Sequence, residues 1–80
     1  MREIHLLAEL ETGMRAYVVD IHSEDSMRRR LQDLGLIEGT EVVCVQKSPL
    51  RDPTAFLIRG AIIALRREDS ACVQIWYGEV

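Results

Sequence analysis

Two glycines four residues apart, Gly35 and Gly39 in "LQDLGLIEGTEV", divide a stretch of helical period from a stretch of strand period. Before them, Met27, Leu31 and Leu34 fall at i, i+4 and i+7 and make one apolar stripe. Arg28, Arg29, Arg30, Gln32 and Asp33 lie off that stripe, on the flanks and the wet side. Ser23 is the expected N-cap, with Glu24 and Asp25 at the positive end of the helix dipole. Gly35 follows the last periodic residue, where a residue without a side chain takes the left-handed cap without strain. Gly39 then suits the third position of a type II turn, which needs a positive φ. The corner therefore demands a fold in which one helix ends abruptly and hands the chain to a strand.

The remaining segments read as short strands. "MRAYVVDI", Met14 to Ile21, is rich in β-branched and aromatic residues and bounded by turn formers. Alternation sets Ala16 and Val18 on one face and Tyr17, Val19 and Ile21 on the other. "TEVVCVQK" is a second strand, and "SPLRDP" a loop with a proline near each end. "TAFLI" and "AIIAL" form a hairpin about Arg59-Gly60. "RREDS" is a polar connector, and "ACVQIWYG" is the last strand. "IHLLAELETG" opens the chain as a turn of helix or an extended arm. Five short antiparallel strands leave exposed edges that closure into a small barrel removes. The expected fold is mainly β, a small SH3-like barrel of about five antiparallel strands with one inserted α-helix and short helical turns. Residues 1–80 make one domain, because a chain this short closes a single core.

Ten Arg and Lys stand against thirteen Asp and Glu, a net charge of −3 with the signs mixed along the chain. A domain that lives on phosphate backbone gathers a basic excess on one face, so nucleic acid is not an expected partner. No segment reaches the ~20 apolar residues of a membrane span. "MREIHLL" is followed at once by "AELETG", which leaves no signal-peptide core. The expected address is cytoplasmic, with the membrane reached only through a partner. Cys44 and Cys72 sit in the apolar runs "VVCVQ" and "ACVQI", outside any CxxC pair. They read as small reduced hydrophobes, and pair as a disulfide only if their strands are neighbours.

Chemistry of a recognisable kind is missing from the pattern. GxxxxGK[ST] and GxGxxG are both absent. His5, His22, Cys44, Cys72 and the scattered carboxylates lack the spacing of metal ligands, so no metal or other cofactor is expected. Serines, histidines and aspartates occur without a strained nucleophile turn, and the chain reads as a non-enzyme.

"RLQDLGLIEGTEV", "SPLRDP" and "GAIIALRREDSACVQI", in that order and spacing, resemble the ferrous iron transport protein A (FeoA) family from about Leu6 to Ile75. Two positions depart from the family pattern, which commonly has Pro where Glu38 stands and Gly where Arg51 stands. The resemblance implies a small cytoplasmic SH3-like barrel that accompanies the large ferrous-iron permease, whose cytoplasmic GTPase domain is the expected partner. Related barrels form the last domain of some metal-dependent repressors, which makes a regulatory or nucleic-acid-associated module the alternative.

Three surfaces are candidates for partner contact. In the loop Ser48, Pro49, Leu50, Arg51, Asp52 and Pro53, the prolines lower the freedom lost on binding. There Leu50 is an apolar anchor, and Arg51 and Asp52 supply charge specificity. Its bland reading is a structural turn whose prolines end two strands. Arg28 and Arg29, within "RRR", form either a solvated helix face or an arginine surface for an acidic partner. Leu57 and Trp76 are expected to face away from the core and to make one sheet face apolar, for a partner or a second copy of the chain. The N-terminal arm is the alternative cover for that face.

Overall fold

The helix ends as the glycine spacing requires. In the computed structural model, which describes residues 3–77, α1 spans Asp25–Asp33 with Leu34 as its C-cap. The Gly35 N–H donates to the Gln32 carbonyl at 2.9 Å and the Leu36 N–H to the Leu31 carbonyl at 3.1 Å. Those two bonds are the paired closure of a Schellman cap, with Gly35 at φ 109°. The Thr40 N–H then donates to the Ile37 carbonyl at 3.0 Å, closing a turn with Gly39 at its third position and φ 88°. Leu31 and Leu36 are buried, and Met27 and Leu34 pack on the core beside them. At the other end the N-cap is Glu24 rather than Ser23, whose hydroxyl donates to the Glu24 carbonyl instead of accepting a first-turn amide.

Six strands make one antiparallel sheet in the order β1-β6-β2-β3-β4-β5. They are β1 His5–Leu6, β2 Arg15–Ile21, β3 Glu41–Lys47, β4 Thr54–Ile58, β5 Ala61–Leu65 and β6 Val73–Tyr77. The architecture is the expected mainly β, SH3-like one, with α1 inserted between β2 and β3. The count exceeds five because the N-terminal arm is itself a strand: His5 pairs with Ile75 and Leu6 with Gln74. A 3-10 turn, Leu7–Glu9, follows it, held where the Glu9 carboxylate accepts the Leu6 N–H at 3.0 Å. Among the described residues β1 and β5 do not pair, so the sheet is not closed by hydrogen bonds. Both ends nevertheless bury side chains in one core, Leu7 and Leu10 beside β1 and Leu65 from β5. Each such leucine, fully buried, contributes about 1.5–3 kcal/mol of transfer free energy. The arm thus packs on the inner face of the sheet, while on the outer face Leu57 and Ile62 remain exposed.

Two further differences have local causes. The β2–β6 register slips between Val18 and Asp20. The extra residue reverses the alternation, so Ile21 is buried with Ala16 and Val18 rather than facing outward with Tyr17. "RREDS" is not a solvated connector: α2, Arg67–Ser70, buries Asp69 and Ser70, and the Ser70 hydroxyl donates to the Arg67 carbonyl. Cys44 and Cys72 are both free thiols, set apart by β2, which lies between β3 and β6. Gly78, expected to end the last strand, lies outside the described residues.

Candidate functional site

The Ser48–Pro53 loop joins β3 to β4 and is built inward at three points. The Arg51 N–H donates to the Ser48 carbonyl at 2.7 Å, and the Asp52 N–H to the Ser48 hydroxyl at 2.9 Å. The Asp52 carboxylate accepts the Arg67 N–H at 2.9 Å and so ties the loop to the start of α2. Ser48 and Asp52 therefore spend their polar groups on the fold. What the loop presents is Leu50, 88% exposed, and Arg51 beside it. Arg51 has φ 66°, the left-handed region in which a side chain is strained. Glycine, common at that position in the family it resembles, takes this φ without strain, and nothing in the structure explains the arginine in its place. Ser48, Pro49 and Pro53 also line a shallow cleft of about 250 Å3 with Gln46, Ala55 and Ala64.

Arg28 is fastened to the end of β2 rather than free. One guanidinium nitrogen donates to the Ile21 carbonyl, and the other meets the Asp20 carboxylate at 3.3 Å. Asp20 also accepts the Ile21 N–H at 2.8 Å and lies 3.3 Å from His22 Nε2. The Ile21 amide is the main force holding the Asp20 carboxyl below its usual range, with Arg28 and His22 adding to it and partial desolvation opposing. Arg29 is exposed on α1. The loop and the end of α1 stand at opposite ends of β4. Arg59, at its far end, lies against the cap glycine Gly35, whereas the loop enters β4 at Thr54.

Leu57 and Trp76 both point to the outer face, but on different patches. Trp76 is paired with Tyr17, the ring centroids 5.3 Å apart. Leu57 lies between Val43 and Ile62 in one cross-strand row. Between the two patches the Arg15 guanidinium and the Glu41 carboxylate form an ion pair at 3.2 Å. Val43 and Leu57 also line a cleft of about 310 Å3 with Glu41 and Arg59. Exposure of Ile62, at 65%, is the feature missed by sequence reasoning: "AIIAL" has the continuous apolar character of a buried strand, yet β5 ends the sheet.

Burial raises the Cys44 thiol, against a smaller opposing pull from a hydrogen bond with Thr12. Among the described residues no three His, Cys, Asp or Glu side chains stand together as a metal-binding group. No helix among them is long and apolar enough to cross a membrane. The described surface so assembled has an apolar tip at Leu50, exposed arginines at Arg29 and Arg51, and an exposed Ile62 on the end strand β5.

The FeoA domain model matches residues 5–75. A curated relative in Porphyromonas gingivalis, the Fe(2+) transport protein A/Fe(2+) transporter FeoB fusion protein, is 36% identical over 69 residues. That match takes in 86% of this chain but only 8% of the relative's length. The solution structure of FeoA protein from Chlorobium tepidum is 33% identical with a TM-score of 0.85, over 91% of this chain and 70% of that one. FeoA of Stenotrophomonas maltophilia, a procaryotic SH3 domain protein crystallised with zinc, is 31% identical with a TM-score of 0.78, over 89% and 88% of the two chains. A manganese-dependent transcriptional repressor, at 13% identity and a TM-score of 0.85 over 96% of this chain and 43% of that one, shares the fold alone.

Proposed function

The chain belongs to the FeoA domain family, and on that premise we propose that it is a non-enzymatic cytoplasmic accessory of ferrous-iron uptake, binding the large permease at its GTPase domain. The observation that carries this reading is the Porphyromonas gingivalis fusion, in which a segment 36% identical to this chain belongs to the same polypeptide as a FeoB transporter. Covalent linkage keeps two domains at high effective concentration, as suits modules that act together. The contact is assigned to the Ser48–Pro53 loop, with Leu50 as apolar anchor and Arg51 as its charged neighbour. Arg29 and the outer-face residues Leu57 and Trp76, which lie apart from the loop, are secondary candidates. Arg28, committed to the Ile21 carbonyl and Asp20, serves in this reading by holding α1 against β2.

The test is an amide NMR titration of the labelled chain with the permease's GTPase domain, loaded with GDP and then with a GTP analogue. Shifts centred on Ser48–Pro53, weakened by Leu50→Ala, are the expected result. No shift at high excess of either loaded form removes the direct GTPase contact.

A further inference from the structure

Strand β5 ends the sheet, and among the described residues it pairs with β4 alone. Its outward backbone N–H and C=O groups therefore face no other strand. Ala61–Leu65 contains no charge, proline or glycine, the devices by which exposed edges are usually blunted. On the outer face, the row Val43–Leu57–Ile62 runs up to this edge and stops there with Ile62 65% exposed. A strand added at β5 gains a backbone ladder and continues that row, the means by which sheets capture extended peptides.

The charges that bracket β5 select the occupant. Arg59 precedes it in the turn, Arg66 and Arg67 follow it, and Arg51 stands in the loop that Asp52 ties to Arg67. All four are exposed, whereas the ion-paired arginines among the described residues are Arg15 and Arg28. Among the described residues, four exposed arginines without an ion pair thus stand around this apolar edge of a chain of net charge −3. A second copy is the wrong partner. Antiparallel pairing centred on Ile63 sets Arg59 of one copy against Arg67 of the other, and a slip of one residue sets it against Arg66. These arginines lie just outside β5, in the turn before it and at the start of α2, and the like charges brought together at each end of such a pair repel.

We propose that β5 is a receiving edge for an extended apolar segment of another protein, flanked by acidic residues and added as a seventh strand. This edge adjoins the Ser48–Pro53 loop, whose prolines line one cleft with Ala64 and whose Arg51 it shares. Its backbone ladder does not use Leu50, and the inference stands whether or not the loop tip meets a GTPase domain.

The probe is a synthetic nine-residue peptide of alternating valine and threonine with two glutamates at each end. It is compared with the same peptide carrying lysines at its ends and with one carrying a central proline. With the full labelled chain at low salt, the acidic peptide is expected to shift the Ala61–Leu65 amides and slow their hydrogen exchange. The lysine peptide should bind at least about tenfold more weakly, and the gap should close as salt screens the charges. The proline peptide should not bind. Arg59→Glu with Arg66→Glu, both at exposed positions, should reverse the preference. Absence of β5 shifts, equal binding of the acidic and basic peptides, or concentration-dependent β5 shifts without peptide (a second copy on the edge) would each overturn the proposal.

Discussion

Replacing Gly35 by alanine should damage the domain more than the same change at Gly39, although both glycines have positive φ. At Gly39 a new Cβ meets nothing within 4 Å, so only the backbone term operates. A left-handed L-residue costs about 1–2 kcal/mol, and the lower entropy of the unfolded alanine chain returns about 0.4–1 kcal/mol. The net expectation at Gly39 is about 0.5–1 kcal/mol. At Gly35 the Cβ falls 2.8 Å from Arg59 Cδ and 3.2 Å from Ile58 Cγ2. The arginine stem can swing aside, but Ile58 is only 1% exposed and lies within the core. Overpacking of that kind adds about 1–2 kcal/mol, for a total of about 1.5–3 kcal/mol. In a domain of this size each kcal/mol corresponds to about 6 °C in Tm. Urea unfolding followed by Trp76 fluorescence, together with thermal melts, measures both variants against the parent. Equal losses at the two glycines would refute the packing argument and reduce Gly35 to a matter of φ alone.

Arg28→Ala should cost about 1–3 kcal/mol by removing charged hydrogen bonds to Ile21 and Asp20, while Arg29→Ala stays within about 0.5 kcal/mol; chemical denaturation distinguishes them. The lowered pKa of Asp20 means that its stabilising contribution is present above the ordinary aspartate pKa and is lost as pH falls through the folded value. The stability difference between the parent and Asp20→Asn should therefore shrink as pH drops below about 4, as measured by denaturation across pH 2–6. In the native protein a maleimide should label the partly exposed Cys72 and leave buried Cys44 unmodified until urea unfolds the chain, with mass spectrometry locating the adduct.

The parts legible in the sequence are those with enough residues to repeat a period. The stripe Met27–Leu31–Leu34, the glycine cap and the "TAFLI"–"AIIAL" hairpin all have local causes, and the fold forms them where the pattern places them. β1, two residues long, and α2, four, are too short to carry a period. Ile21 was misplaced because a bulge adds one residue, and parity beyond it inverts. In the candidate loop, Leu50 and Arg51 were legible as exposed chemistry. The inward role of Asp52 was not, because its partner, the Arg67 amide, lies 15 residues away in the sequence and is brought close only by the β4–β5 hairpin. The arginines around β5 are scattered through three segments and acquire a common meaning only when that strand is seen to end the sheet.

The antiparallel pairing of His5 with Ile75 has an architectural consequence. The strand near the start of the chain and the strand near its finish lie side by side, so the polypeptide enters and leaves the sheet at one place. A unit wired in this way behaves like a plug with both leads on one side. It can be spliced into a surface loop of a larger protein, or joined to another chain at either end, without stretching its own sheet. The same wiring makes the two ends interdependent. Cutting away β1 together with the 3-10 turn and Leu10 strips β6 of a neighbour and removes Leu7 and Leu10 from the core, so a trim at the front of the chain should loosen its last strand.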